Sequence, residues 1–183
     1  YSDIKGFTVQ TLSTDTVASQ AAGGSWASGG SMPAAKYVGL SAGTQTSNVI
    51  AGGATDPPAN SNQVNTTFEY DGSSWTAGGA LNTTRFAGAG FGATNTAAIM
   101  VGGAASPSSA TQPAVESYNG TSFTEIAELN TARGETFGGA GTSTAGVVYG
   151  GRAPALSPAT RAETENWNGS AWTETSDLNT ARA

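Results

Sequence analysis

The side chains that could do chemistry in this chain are carboxylates, guanidinium groups and aromatic rings, because its 183 residues include no cysteine and no histidine. That composition excludes thiolate nucleophiles, imidazole-dependent triads and zinc sites with the usual ligands. Acidic residues such as Asp56, Glu69 and Glu125 could supply the carboxylate pair of a glycoside hydrolase, but nothing in the sequence singles out a pair. We therefore predict no enzymatic activity, no metal and no cofactor.

Three arginines recur at an interval of about 49 residues, and each ends a Leu-Asn-Thr-(Ala/Thr)-Arg segment: Arg85, Arg133 and Arg182. A ring of such cations could bind an acidic ligand. However, Glu116 and Glu165 recur at the same interval, which favours ion pairs or contacts with backbone carbonyls at the junctions between repeats. We predict a structural role for the three arginines.

Large aromatic residues keep the same interval, at Trp26, Trp75, Phe123 and Trp172. Their rings could stack on the apolar faces of sugars. A ligand site rarely needs the same kind of residue in every repeat, whereas burying one large apolar side chain stabilises a fold by about 1.5–3 kcal/mol. The strict periodicity therefore predicts that these rings form the core of each repeat.

The non-repeating part of each unit offers better candidates for ligand binding. After each Gly-Gly pair the sequence stops repeating and becomes rich in Pro and Ser, as expected for the longest loops. A rigid scaffold that presents dissimilar loops on one face is a typical binding platform. We predict that this loop face contacts a ligand through Asp56, Asn60, Asn62, Ser108, Gln112 and Arg152. The alternative is that these loops vary because nothing constrains them.

The elements that must position these residues are short strands. Three apolar runs end in Gly-Gly pairs, at 52–53, 102–103 and 150–151, which is typical of a buried strand with an abrupt exit. Asp-Gly or Asn-Gly pairs follow an aromatic residue at 71–72, 119–120 and 168–169, and they predict hairpins with two-residue type I′ turns. Four strands per repeat of about 49 residues, without helical periodicity, make one blade of a β-propeller.

The predicted fold class is thus all-β, a β-propeller with about three four-stranded blades and part of another. Residues 1–22 stand outside the repeat as a lead-in strand, at 7–12, and a connector. Residues 23–183 form the array, with repeat units of about 26–74, 75–122, 123–171 and a partial unit, 172–183. Because three blades leave two open edges, we expect unseen sequence or further copies of the chain to close the ring.

The order of these signals resembles the kelch repeat over residues 23–183: an arginine, an apolar strand ending in Gly-Gly, Tyr-(Asp/Asn)-Gly and a nearby Trp. The first copy departs from the pattern, with Lys36 in the arginine position. The low charge and the abundance of Thr, Asn, Gly and Ala are also similar to kelch-like repeats in tail and other virion proteins of bacteriophages, especially marine ones. This resemblance implies a virion protein.

The charge balance limits the partners. Seven basic residues, a net charge of −6 and the lack of a basic run argue against nucleic acid, and no window approaches the roughly 20 apolar residues of a membrane helix. We expect a non-enzymatic, structural and adhesive component of a phage virion, in a tail fibre or similar appendage, extracellular on the particle surface. Its loop face would bind a host-surface glycan or protein, beside contacts with other virion proteins. The alternatives are a propeller enzyme acting on polysaccharide and an intracellular protein-interaction propeller.

Overall fold

The computed structural model describes residues 28–57, 62–105, 110–135, 138–153 and 160–182. These residues form β-strands, turns and irregular segments, and none of them is helical. The lead-in strand predicted at 7–12 lies outside the described residues, as do Trp26, Asn60 and Ser108.

The strands make three four-stranded sheets and one small hairpin. The first sheet contains β1 (Leu40–Thr44), β2 (Ser47–Ala51), β3 (Thr67–Tyr70) and β4 (Trp75–Gly78). The second begins with β5 (Ala89–Thr94) and β6 (Ala97–Val101), is interrupted by the small hairpin of β7 (Ala104–Ala105) and β8 (Ala110–Thr111), and ends with β9 (Val115–Tyr118) and β10 (Phe123–Glu125). The third contains β11 (Gly138–Thr142), β12 (Ala145–Tyr149), β13 (Thr164–Trp167) and β14 (Trp172–Thr175).

Within each sheet the strands are antiparallel and follow chain order from one edge to the other. The first strands of the three sheets pack on one another, β1 against β5 and β5 against β11, so they are the inner strands of a propeller-like array. The inner strands are crowded: a Cβ atom at Gly90 would collide with the Ser41 carbonyl oxygen. The prediction of an all-β fold with three four-stranded blades is confirmed.

Two apolar clusters hold the blades together, and each lies between two blades rather than inside one. Residues of the first and second blades form one cluster, which includes Leu40, Val49, Leu81, Met100 and Phe123. Residues of the second and third blades form the other, which includes Phe91, Ile99, Leu129, Trp167 and Trp172. Because the core is made of faces contributed by neighbours, a blade depends on the blade next to it.

The hairpins between third and fourth strands lie where the sequence predicts them, but the predicted turn type is wrong. Tyr70 pairs with Trp75, which leaves a loop of residues 71–74 rather than a two-residue turn. Only Gly72 of this loop has a positive φ, whereas a type I′ turn needs two such residues. The Asp71 carboxylate instead accepts the N–H groups of Ser73 and Ser74, each at 2.8 Å, and Asn119 and Asn168 accept the corresponding pairs in the other blades.

Candidate functional site

Two of the three arginines that could have formed a cationic ring, Arg85 and Arg133, are enclosed between blades, whereas Arg182 is exposed. Arg85 and Arg133 are completely buried. Arg85 donates to the Glu116 carboxylate at 3.1 Å and to the carbonyl oxygens of Gly102 and Ala114 at 3.2 and 2.5 Å. Burial lowers the pKa of Arg85 and the nearby Glu116 charge opposes that shift. The guanidinium therefore serves the junction between blades and is closed to an outside ligand.

Arg133 repeats this arrangement one blade later. It donates to the Glu165 carboxylate at 2.7 Å and to the carbonyls of Gly150 and Glu163 at 3.2 and 2.7 Å. The same carboxylate accepts the backbone N–H of Asn130 at 2.8 Å. We call the Leu-Asn-Thr-(Ala/Thr)-Arg segments at 81–85, 129–133 and 178–182 the linking motifs, because the first two tie each blade to the next through an arginine and a glutamate.

Lys36 occupies the arginine position of the first blade and binds the corresponding carbonyls, but it has no glutamate at the position of Glu116. Its ammonium group donates to the carbonyls of Gly52 and Thr66, both at 2.8 Å, which correspond to the carbonyls that the arginines bind. Phe68 stands where the other blades have glutamate, and the Lys36 nitrogen lies 5.1 Å from its ring centroid. Burial without a carboxylate partner lowers the pKa of Lys36 to about 8.

Trp75, Phe123 and Trp172, the periodic aromatic residues that the structure describes, lie in cross-strand pairs at the outer hairpins. Trp75 is half-buried beside Tyr70, and Phe123 and Trp172 are buried beside Tyr118 and Trp167, with ring centroids 4.4–5.2 Å apart. Such pairs stabilise antiparallel strands. Phe123 and Trp172 consequently present little ring surface to a ligand.

The loops that follow the Gly-Gly pairs carry the described candidates for ligand binding. The Asp56 carboxylate accepts the backbone N–H of Asn62 at 2.9 Å, which closes the loop of the first blade. Gln112 is half-buried and its side chain donates to the carbonyl of Ala110 in its own hairpin. Arg152 is about half exposed and pairs with Glu135 at 3.0 Å. The described ends of these loops lie at the end of each sheet from which the chain passes to the next blade.

An open depression of about 400 Å³ lies on that face, where the chain enters the inner strands. Tyr37, Phe86, Ala87 and Glu135 are among its lining residues. Tyr37 is 38% exposed, and the Glu135 carboxylate is held by Arg152. The depression thus combines an accessible aromatic ring with a carboxylate and guanidinium pair. Arg152 is the sequence-predicted candidate that adjoins it.

The backbone around the depression has a conformation that sequence reasoning missed. Val38, Ala87 and Glu135 occupy corresponding positions in the three blades and have positive φ values of 48°, 52° and 50°. Residues other than glycine rarely have a positive φ, and β-branched residues have it least often. The conformation is maintained because Ala87 N–H donates to the Val38 carbonyl and Glu135 N–H donates to the Ala87 carbonyl, each at 2.8 Å.

These contacts form a line of hydrogen bonds from blade to blade along the rim of the depression. Tyr37, Val38 and Glu135 were not singled out by the sequence, because they stand between the linking motifs and the strands without a motif of their own. The available signal was their constant position, since each positive-φ residue comes two positions after Lys36, Arg85 or Arg133. That regularity could have pointed to a shared backbone role.

Neither a metal-binding cluster nor a membrane-spanning helix occurs in the described part of the chain. No three acidic side chains there come together as a metal site would require. No helix in the described ranges is long and apolar enough to cross a bilayer.

No protein-family model matches this chain, and no similar curated protein was found. Among solved structures, the chain is similar to that of YjhT, with a TM-score of 0.66 and 12% sequence identity. The match covers 82% of this chain and 49% of that one, so this chain spans about half of YjhT. At this identity the likeness concerns the fold, and it agrees with an all-β, propeller-like arrangement of four-stranded blades.

Proposed function

We propose that this protein is a non-enzymatic, adhesive and structural component of a bacteriophage virion, built of kelch-like blades, whose loop face binds a host-surface glycan. The observation that carries the binding role is the open depression that joins Tyr37 to the Glu135 and Arg152 pair on the face with the dissimilar loops. The virion setting rests on the low-charge composition, rich in Thr, Asn, Gly and Ala, that resembles phage tail proteins.

The chemistry of the depression suits a sugar better than an ion or a purely apolar ligand. A sugar ring has an apolar face that can pack on Tyr37 and hydroxyl groups that can bond to planar polar groups at its edge. Glu135 offers acceptors and Arg152 offers donors, and their side chains are 27% and 48% exposed. A partly solvated ion pair can bind hydroxyl groups without the cost of removing two isolated charges from water.

The same geometry argues against the rival function, an enzyme that cleaves polysaccharide. Glycoside hydrolases normally need two carboxyl groups about 5–9.5 Å apart, one on each side of the scissile bond. Among the described residues that line the depression, Glu135 is the one that is acidic, and it forms an ion pair with Arg152. The lining therefore does not supply the second carboxyl group that such a mechanism needs.

The binding role is tested by screening the purified chain on an array of bacterial surface polysaccharides. We expect Tyr37→Ala to weaken the best interaction at least about tenfold, a loss of 1.4 kcal/mol or more. Tyr149→Ala is the matched control, because Tyr149 is also about 39% exposed but is absent from the depression. Equal losses in both variants would contradict the assignment of the site.

Two further measurements separate the parts of the proposal. New reducing ends that disappear with Glu135→Gln would favour the enzyme over the adhesin. Immunogold labelling with antibodies against the purified chain should decorate virions from cultures that carry the gene. Particles that remain unlabelled would remove the virion setting while leaving the glycan site to be judged by the array.

A further inference from the structure

The third blade exposes an outer face whose counterparts in the earlier blades are covered. Tyr149 occupies the position of Val101 in the second blade, yet Tyr149 is 39% exposed and Val101 is fully buried. Val147 is half-buried, whereas Ile99 at the corresponding position is 1% exposed. In the second blade this face is covered by the third blade.

The linking motif at 178–182 adjoins this face and already has the backbone arrangement of the other two. Gly151 N–H donates to the Arg182 carbonyl at 3.0 Å, as Gly103 N–H donates to the Arg133 carbonyl at 2.9 Å. Arg182 Nε donates to the carbonyl two residues earlier at 3.4 Å, and Arg133 Nε does the same. The linking motif at 178–182 therefore has the backbone conformation of the other two before any partner binds.

The difference between the motifs lies in the groups beyond the backbone. Arg133 reaches a glutamate and two carbonyls of the following blade and is completely buried. Arg182 is exposed, and Leu178 is half-buried where Leu129 is only 4% exposed. In the described part of the chain, no ion pair joins the Arg182 guanidinium to a carboxylate.

We propose that the linking motif at 178–182 and the outer face of the third blade form a docking surface for a further blade of the same repeat type. That blade must carry a glutamate at the position of Glu165 and two free carbonyls at the positions of Gly150 and Glu163. Charge complementarity defines the partner, since the exposed Arg182 needs a carboxylate and its two observed counterparts both have one.

A second copy of this chain does not fit the same surface. The face of a second copy that corresponds to the acceptor set is on its first blade, where Lys36 already binds the carbonyls of Gly52 and Thr66. Phe68 occupies the glutamate position, so Arg182 would face an aromatic ring and a second cation there. The partner is thus a blade whose acceptor set is empty, as it would be in a blade joined directly after residue 182.

The test supplies such a blade. A second copy of residues 134–182 is fused after residue 182, which gives Arg182 the surroundings that Arg133 has in the original chain. We expect Arg182→Met to lower the thermal midpoint of the extended protein by roughly 10 °C, as Arg133→Met should do in the 183-residue chain. In the 183-residue chain itself, Arg182→Met should leave the midpoint unchanged.

Separate measurements test the glutamate of the added blade and the possibility that a second copy of the chain binds this surface. Replacing the copied counterpart of Glu165 with Gln should lower the midpoint of the extended protein and should remove most of the further effect of Arg182→Met. A large loss from Arg182→Met in the 183-residue chain, or none in the extended protein, would overturn the proposal. So would a native mass of two chains that falls to one with Arg182→Met, because the occupant would then be a second copy.

Discussion

Arg133 is charged and completely buried, and its four acceptors explain how the protein tolerates it. Glu165 neutralises the charge, and the carbonyls of Gly150, Glu163 and, within its own linking motif, Thr131 accept further N–H groups. A buried pair of this kind adds little compared with a well-packed apolar pair, but removing one member leaves the other charge buried alone. The arginine therefore makes each junction specific: the blade that follows must present this acceptor set.

Arg133→Met is expected to lower the free energy of unfolding by about 3–5 kcal/mol, because Glu165 would remain buried without its cation. Urea denaturation followed by tryptophan fluorescence measures the loss. Arg152→Met is the matched control, since its ion pair with Glu135 is half exposed and should contribute less than about 1 kcal/mol. Similar losses in the two variants would show that burial of the pair does not decide its contribution.

Because of Lys36, the stability of the folded chain should depend on pH in the alkaline range. Its pKa is lowered to about 8 by burial, so between about pH 8 and 10.5 the unfolded chain binds more protons than the folded chain. Stability should therefore rise over this window, until the Tyr118 hydroxyl, whose pKa is raised to about 12 by burial and by Glu69, reverses the trend above pH 10. Lys36→Met should abolish the rise. An NMR titration of Lys36 Cε with a midpoint near 10.5 would contradict the prediction.

At the scale of elements, a side chain rather than the backbone closes the outer hairpin of the first blade. The N–H groups of Ser74 and Ser73 hold the pKa of Asp71 well below its usual range. The stabilisation is present above about pH 4 and is lost as pH falls below that value, because the folded form favours the carboxylate. Asp71→Asn should preserve the loop and remove its acid sensitivity, since Asn119 and Asn168 do the same work in the other blades.

Asp71→Ala should open the loop, because neither amide of Ser73 and Ser74 would keep its side-chain acceptor. Hydrogen exchange at these two amides should accelerate at pH 7 in Asp71→Ala and stay near the original rate in Asp71→Asn. Unchanged protection in the alanine variant would mean that the Asp71 N–H to Ser74 carbonyl bond closes the loop without help.

The segments that enter the inner strands contain strain that glycine should relieve. Ala87 has φ near +52°, a conformation that costs a non-glycine residue about 1–2 kcal/mol, while glycine loses about 0.5–1 kcal/mol through its more flexible unfolded state. Ala87→Gly should therefore stabilise the chain by about 0.5–1 kcal/mol in urea denaturation. Ala89→Gly, within β5, should destabilise it instead. Loss of stability in both variants would show that the Ala87 conformation is not strained.

The strands and blades could be predicted from the sequence because apolar runs, Gly-Gly pairs and aromatic residues recur at one interval. The turn type could not, because Asp71 and Ser74 can satisfy the same loop by a side-chain contact that the dipeptide Asp-Gly does not reveal. The depression was also missed. It depends on positive φ at Val38, Ala87 and Glu135, and the residue types Val, Ala and Glu do not predict a positive φ.

At the scale of the whole molecule, the two junctions share a geometry but differ in chemistry. Between the first and second blades, Tyr118 donates to the Glu69 carboxylate and Asn95 donates to the same carboxylate at 3.2 Å. Between the second and third blades, Phe91 meets the edge of Trp172 at a centroid distance of 6.2 Å, and Trp172 packs on Trp167. The second junction therefore depends on apolar packing, which truncation of one ring can weaken without disturbing the first junction.

Phe91→Ala should accordingly release the third blade before the other two. Phe91 is 3% exposed, and its ring fills the space left by Gly146, where a Cβ atom would collide with it. Truncating a buried phenylalanine costs about 3–5 kcal/mol, and in an array of units joined only to their neighbours that loss falls on one junction. Hydrogen exchange in moderate urea should become faster in β13 and β14 than in β2 and β3. Met100→Ala, in the first junction, should favour release of the first blade instead. Equal acceleration in all three blades, in either variant, would mean that the array unfolds as one cooperative unit.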